Sequence, residues 1–310
     1  MLRVLVTGGA GFIGSHVVDS LVESGQTVAI VDNLSTGYKE NINKKAVFFE
    51  MDITSIELTN VFEVFRPDVV IHMAAQVNVN RSIIDPIKDQ KINIYGTVNI
   101  LENCKKFAVK KIVYSSSAAV YGYPKSNPIG ECHDTEPISF YGISKMVPEN
   151  YIKTYSSLYN LKYTILRYSN VYGPRQDFLG EGGVISIFLN NILRNEQIVV
   201  FGNGKQTRDF IYVHDVVSAN IIAANNDING TFNISTNSSI TINQLLDILE
   251  KVSNRKISPI YKEARKGDIE KSCLDNQNAK NSLKWSPKFE LEMGLQNTFD
   301  YYHSLFINRK

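Results

Sequence analysis

The chain has 310 residues, with 33 Lys and Arg against 31 Asp and Glu, and 43% hydrophobic against 21% charged residues. That balance suits a globular protein with a sizeable core and argues against a nucleic-acid partner. No apolar run approaches the roughly 18 residues that span a bilayer, and a first strand that begins by residue 3 leaves no room for a signal peptide. A soluble, cytoplasmic protein with no membrane partner is therefore expected. The three cysteines, Cys104, Cys132 and Cys273, are scattered and lack metal-ligand spacing, which points to a reducing compartment and to no metal site.

In chain order, Val4, Leu5 and Val6 form a continuous apolar run, as in a strand buried on both faces. A glycine turn follows, Gly8-Gly9-Ala10-Gly11-Phe12-Ile13-Gly14. Ile13, Val17, Val18 and Leu21 then recur at helical spacing, and Gly25 closes the helix. Gln26–Val31 predicts a second strand, ending on Asp32. Such a βαβ unit, with Gly8, Gly11 and Gly14 at its turn and an acid about 20 residues on, describes a dinucleotide site. The glycines let the backbone approach a pyrophosphate, whose charge meets the helix N-terminus. Asp32 can accept hydrogen bonds from a ribose diol and would repel a 2′-phosphate, so NAD is favoured over NADP.

The alternation continues. Strands are predicted at Ala46–Glu50, Asp68–Ile71, Lys111–Tyr114 and Lys162–Leu166, with helices at Glu57–Phe65, Asp85–Phe107 and Tyr141–Leu158. The fold class is α/β, a Rossmann-type doubly wound parallel sheet. After Arg167 the texture changes to loops at Gly173-Pro174-Arg175 and Gly180–Gly183. Helices follow at Val184–Leu193, Val213–Ala224, Ile242–Val252 (Thr241 a plausible N-cap) and, beyond Pro287, Leu291–Leu305. Residues 1–167 are expected to bind the cofactor, with about 208–225 returning to that domain. Residues 168–310 are expected to form mainly a smaller α/β substrate domain across the sheet's C-terminal edge.

The fifth strand runs into Tyr114-Ser115-Ser116-Ser117-Ala118-Ala119-Val120-Tyr121-Gly122, which puts hydroxyls at the cofactor end of the sheet. Downstream, Tyr141-Gly142-Ile143-Ser144-Lys145 places a phenol and an ammonium one helical turn apart. A free tyrosine ionises near pH ~10. A neighbouring lysine and an oxidised nicotinamide would favour the phenolate. Ser117, Tyr141 and Lys145 beside NAD suit removal of an alcohol proton while hydride leaves its carbon.

On these motifs the chain resembles the extended short-chain dehydrogenase/reductases of the nucleotide-sugar epimerase/dehydratase family, and within it the UDP-glucose 4-epimerases. The GxxGxxG turn belongs to the resemblance, as do Asp32-Asn33-Leu34-Ser35-Thr36-Gly37, Asp52-Ile53, His72–Gln76, Asn93–Thr97, Ser115–Gly122, Tyr141–Lys145, Arg167–Pro174 and Arg208–Asp215. It spans nearly the whole length. It implies an NAD site lined by Gly8, Gly11, Phe12, Ile13, Gly14, Asp32, Asn33, Leu34, Ser35, Thr36, Gly37, Asp52, Ile53, Ala74, Ala75, Gln76, Asn93, Ser115, Tyr141, Lys145 and Tyr168. Asn170, Arg208 and Arg265 would hold a nucleotide diphosphate and Asp268 its ribose, with Ser117 and Tyr141 on the sugar. Arginine forks suit a diphosphate.

Within that family, dehydratases and decarboxylases carry an acid directly after the strand-five hydroxyl, where this chain has Ala118 and Ala119. A reductase would have to exchange its cofactor. Epimerisation needs only a transient ketone and is the expected reaction. The alternatives are another nucleotide-sugar enzyme, a UDP-uronate epimerase among them, or a non-catalytic sensor. Ser272, seven residues after Arg265, is small where relatives restricted to plain hexoses carry tyrosine, so UDP-N-acetylhexosamines are expected alongside UDP-glucose and UDP-galactose. The family also implies a homodimer through the helices near 93–107 and 141–158, with Ile94, Val98, Leu101 and Phe107 offering apolar surface. Pro148 should bend the second helix without disturbing the Tyr141–Lys145 turn.

Overall fold

In the computed structural model, which describes residues 1–177, 183–264, 267 and 269–307, Arg3–Thr7 forms strand β1. Its Val4 and Val6 pack into one hydrophobic layer and Leu5 into the other. Both faces are covered, which is why the apolar run is unbroken. Helix α1 (Phe12–Glu23) and strand β2 (Thr27–Asp32) complete the opening unit. Strand β3 (Val47–Glu50), α2 (Leu58–Phe65) and β4 (Val69–His72) follow.

The long helical stretch predicted at 85–107 is divided. Pro86–Gln90 (α4) follows a separate short helix, Val79–Ile84 (α3), then Lys91–Tyr95 makes a π turn and Gly96–Lys106 (α5) resumes α geometry. Asp85 caps α4 by accepting from the Lys88 amide at 2.9 Å. Strand β5 (Lys111–Ser117) runs three residues beyond the predicted end at Tyr114 and so carries Ser117 on the strand itself. Helix α6 (Phe140–Tyr159) continues through Pro148, and β6 (Lys162–Tyr168) completes the predicted strands.

Beyond β6 come β7 (Asn170–Tyr172), α7 (Val184–Arg194), β8 (Val199–Phe201), β9 (Thr207–Arg208) and β10 (Phe210–Tyr212). Helix α8 (Val213–Ala224), β11 (Gly230–Ile234), β12 (Ile240–Thr241), α9 (Ile242–Ser253), β13 (Ile260–Lys262) and α10 (Leu291–Ile307) close the chain. Thr241 caps α9 in a reciprocal box with Gln244: the Gln244 amide donates to its hydroxyl at 3.1 Å and its own amide donates to Gln244 Oε1 at 2.8 Å.

The main sheet has seven strands in the order β11-β6-β5-β4-β1-β2-β3, every neighbouring pair parallel. Strand β11, unassigned in the sequence reading, supplies the seventh. The order reverses at β1, which lies between β2 and β4, and ligands of open α/β sheets sit beyond the carboxyl ends at such a point. One layer covers the sheet with α1, α8 and the C-terminal elements, the other with α2, α5 and α6. Trp285, 1% exposed, fastens the C-terminal segment to α8, its indole N–H donating to the Asp215 carbonyl at 3.1 Å and to Ser218 Oγ at 2.9 Å. Truncating it to alanine would cost about 3–5 kcal/mol. No helix of the described residues is long and apolar enough to cross a membrane.

The expected apolar face needs revision. Leu101 is fully buried in the core of its own chain. The apolar side chains that α3–α6 expose include Ile83, Ile84, Ile87, Tyr95, Tyr151 and Leu158. Leu101 points inward because α5 packs on α2 and the sheet.

Candidate active site

The turn after β1 is built for close approach. A Cβ on Gly14 would stand 2.1 Å from the Gly8 carbonyl oxygen, so only glycine lets α1 begin this near the strand end. Gly11 is the N-cap and no side chain caps the helix, which leaves first-turn amides such as those of Phe12 and Ile13 to an anion. Beside it lies a cleft of about 310 Å³ lined by Leu34, Ser35, Thr36, Gly37, Tyr38, Arg81 and Asp177. Asp32 ends β2 facing this turn; its carboxylate accepts from the amides of Ala10 at 3.0 Å and Leu34 at 2.8 Å. Each oxygen keeps a second lone pair for a ribose hydroxyl. The cradle, the open helix terminus and the acid together fit a dinucleotide.

Asp52 accepts from the Thr54 amide and hydroxyl and from Asn33 Nδ2, at 2.8, 2.7 and 2.7 Å. Burial works against its charge, but these donors outweigh burial and hold the carboxyl below its usual range. Ile53 is buried next to it. At the end of β4, the amide of Gln76 donates to Asn93 Oδ1 at 2.8 Å and Asn93 Nδ2 returns a bond to the Gln76 carbonyl at 2.9 Å. The Ala74-Ala75-Gln76 loop is thereby tied to the π turn, a local irregularity common at functional sites.

His72 connects the same elements. Thr97 Oγ1 donates to the Asn93 carbonyl at 2.6 Å and so accepts from His72 Nε2–H at 2.9 Å. The other ring nitrogen then accepts from Thr7 Oγ1 at 2.7 Å. One tautomer satisfies the chain. Burial, with the Lys145 charge nearby, brings the imidazole down to about 3 and keeps it neutral.

Ser117, Tyr141 and Lys145 meet at the end of β5. The Ser117 side chain stands close enough to the Tyr141 phenol to favour its ionised form. Lys145, 4% exposed, donates its ammonium to the Ser115 carbonyl at 2.8 Å and lies 5.3 Å from the centre of the Tyr114 ring. Burial raises the Tyr141 phenol above its ordinary value, the Ser117 side chain opposes this, and the Asp89 charge adds to it. Burial likewise brings Lys145 down to about 8 while Asp89 resists. The expectation that Lys145 lowers the phenol is thus not met in the polypeptide itself, because the ammonium is directed at a backbone carbonyl. Ser115 Oγ is bonded to the Tyr168 hydroxyl at 3.0 Å, itself held by Asn220 Nδ2 at 2.8 Å.

In the register of β5 on β6, Ser117 faces Tyr168, two residues ahead of Asn170. Asn170 donates through its backbone and side-chain nitrogens to the Asp209 carbonyl, at 3.0 and 3.1 Å. Arg208 Nη1 donates to the carbonyls of Thr207 at 2.9 Å and Ile269 at 2.6 Å. The fully buried Asp209 carboxylate accepts from Thr236 Oγ1 at 2.7 Å and from the Leu274 amide at 3.4 Å. Asn170 is therefore held at Asp209 beside Arg208, and the Asp209 carboxylate holds Cys273 and Leu274, next in the chain to the half-buried Ser272. Arg265, Asp268 and most of the predicted 180–183 loop lie outside the described residues.

Sequence reasoning missed several supporting groups. Ser82 on α3 accepts from the Tyr141 amide at 3.1 Å. Asn93 Nδ2 donates to Ser144 Oγ at 2.9 Å, and Asp89, 1% exposed, accepts from Gln76 Nε2 at 2.7 Å. Beneath the site, Glu149 accepts from Ser116 Oγ at 2.6 Å and from Arg167 Nε and Nη2 at 2.9 and 2.6 Å, locking β5, β6 and α6 together. The Asp and Glu at helical spacing from Asn93 and Lys145 were visible in the sequence, but their burial was not. No cluster of three or more His, Cys, Asp or Glu among the described residues could hold a metal ion.

The family model described as NAD dependent epimerase/dehydratase family matches residues 4–235. A UDP-glucose 4-epimerase from Mycolicibacterium smegmatis is 37% identical, with 98% of this chain and 99% of the relative covered. A solved UDP-glucose 4-epimerase from Thermotoga maritima, crystallised with UDP-glucose, is 46% identical with a TM-score of 0.95, covering 97% of this chain and 99% of that one. A UDP-N-acetylglucosamine 4-epimerase from Methanobrevibacter ruminantium, in complex with UDP-N-acetylmuramic acid, is 37% identical with a TM-score of 0.94, covering 98% and 99%.

Proposed function

The chain belongs to the NAD dependent epimerase/dehydratase family, and from that premise we propose that it is an enzyme interconverting the C4 epimers of UDP-hexoses with NAD as cofactor. The observation that carries this reading is the placing of Ser117 beside the buried Tyr141 phenol, one helical turn from Lys145, at a strand end followed by Ala118 and Ala119. That arrangement can move one proton on and off a sugar hydroxyl. It offers no adjacent carboxylic acid to drive elimination.

Bound NAD supplies the acceptor and donor of hydride at C4. Tyr141, as phenolate, takes the C4 hydroxyl proton as the C–H bond gives up its hydride, leaving a 4-keto sugar. Ser117 steadies that oxygen by hydrogen bonding. Lys145 holds positive charge beside the phenol and ties α6 to β5 through the Ser115 carbonyl. The ketone turns about its diphosphate linkage, is reduced on its other face, and recovers the proton from Tyr141. Gly8, Gly11, Phe12, Ile13, Gly14, Asp32–Gly37, Asp52, Ile53, Ala74–Gln76, Asn93, Ser115 and Tyr168 would hold the cofactor, and Asn170, Arg208, Arg265 and Asp268 the nucleotide. The division into a cofactor half (1–167, with 208–225) and a mainly nucleotide-sugar half (168–310) follows the same reading.

The small Ser272 supports acceptance of UDP-N-acetylhexosamines as well. The exposed apolar side chains of α3–α6 support a homodimer, and the three free cysteines suit a cytoplasmic setting. Proton NMR of the protein with UDP-glucose, and separately with UDP-N-acetylglucosamine, tests the reading. Galacto-configured anomeric signals rising to equilibrium without added reductant are expected. No change in either sugar would overturn it; an accumulating 4-keto product, carbon dioxide or stoichiometric NADH would replace it with another reaction of the family.

A further inference from the structure

Asp89 sits on the last turn of α4, directly before the π turn, and is 1% exposed. Its Oδ1 accepts from Gln76 Nε2 at 2.7 Å and from Asn93 Nδ2 at 3.3 Å. The Asn93 amide is shared with Ser144 Oγ at 2.9 Å, and that hydroxyl donates to the Tyr141 carbonyl at 3.1 Å. The carboxylate therefore stands a short hydrogen-bonded path from the turn of α6 that carries the dyad. A cation close to a buried carboxylate adds to what its amide donors supply.

The charged and titratable groups facing the dyad from the packed elements are His72 on β4, Tyr114 on β5, Glu149 farther along α6, and Asp89 on α4. Burial keeps His72 neutral, brought down to about 3, and raises Tyr114, which stays a phenol. Glu149 is neutralised by Arg167 at 2.6 Å. Among the described residues this leaves Asp89 as the negative charge acting on Lys145 without a buried ion-pair partner of its own.

We propose that Asp89 is a positioning residue of the active site: a buried counter-charge that keeps Lys145 an ammonium and, through Gln76 and Asn93, holds the 74–78 loop against α6. It rests on the Tyr141–Lys145 chemistry proposed above. Removing the negative charge eases proton loss from both partners, so the two limbs of the pH profile, which belong to the Tyr141–Lys145 pair together, move to lower pH.

The test is the pH dependence of kcat for the NAD holoenzyme of Asp89→Asn on UDP-glucose, beside an NMR titration of the Lys145 side chain, identified by its loss in Lys145→Arg. The variant is expected to melt within a few degrees of the native protein. Both limbs and the lysine titration should fall by about half a pH unit or more, a threefold loss of turnover on the alkaline side. Asp89→Glu, which keeps the charge, should return the limbs to their native positions. Limbs and lysine titration unmoved in Asp89→Asn would overturn the proposal. If that variant does not fold, limbs displaced in Asp89→Glu would overturn it instead. Absence of epimerisation by the native protein would remove the proposed reaction, yet the lysine titration would still decide the coupling to Asp89.

Discussion

The α-carbon of Gly142 lies so close to the carbonyl of Ala119 that a Cβ there would stand 2.6 Å from its oxygen. This approach lets the first turn of α6 settle on the turn after β5 and brings Tyr141 to Ser117. Gly142→Ala must push the two segments apart by a fraction of an ångström or more. Turnover is expected to fall about 10–100-fold, with stability reduced by about 1–3 kcal/mol. Comparison of kcat with the affinity for NAD checks this: an unchanged kcat would show that the approach does not set the dyad.

Tyr141→Phe removes the proton acceptor and leaves the glycine cradle and Asp32 untouched. NAD should still bind, and turnover should fall by about 10²–10⁴-fold. Near-native turnover would exclude Tyr141 as the base, and a sensor without catalysis would show no turnover in the native protein either.

His72 makes the fold sensitive to acid. The imidazole titrates near 6.5 when unfolded and at about 3 when folded, so between those values the unfolded chain takes a proton that the folded one refuses. Its contribution is complete above the unfolded value and is lost as pH falls from 6.5 toward about 3, by about 1.4 kcal/mol per unit. His16, brought down to about 4 by burial first of all, acts with the same sign. Urea unfolding at pH 7 and pH 5 should show a shallower pH slope for His72→Gln than for the native protein. Equal slopes would contradict the neutral, buried assignment.

Ser272 is half-buried in the segment held by Asp209 through the Leu274 amide at 3.4 Å. Ser272→Tyr should cut kcat/KM for UDP-N-acetylglucosamine by tenfold or more (about 1.4 kcal/mol) and leave UDP-glucose within a factor of a few. Equal losses on both substrates would show that this position does not gauge the sugar.

Tyr151 and Leu158, seven residues apart and so on one face of α6, are 42% and 65% exposed. The double variant Tyr151→Asp, Leu158→Asp should sediment as a monomer where the native chain sediments as a dimer. A native chain that is monomeric at micromolar concentration would end the dimer proposal.

What the sequence determined by itself was local. The Val4–Val6 run, the glycine turn and Asp32 lie within one βαβ unit, and periodicity plus turn chemistry suffice to read such a unit. The Tyr141–Lys145 turn and the Thr241 cap are legible for the same reason. Tertiary structure alone decided that Asp89 reaches the Gln76–Asn93 pair, that Glu149 and Arg167 lock three elements beneath Ser117, that Leu101 faces inward, and that Gly230–Ile234 returns to become the seventh strand. Each of those outcomes depends on how separate elements pack against one another. Their burial and pairing follow from how the layers close on the sheet, and a buried charge looks the same in sequence as a solvated one until that packing removes the water.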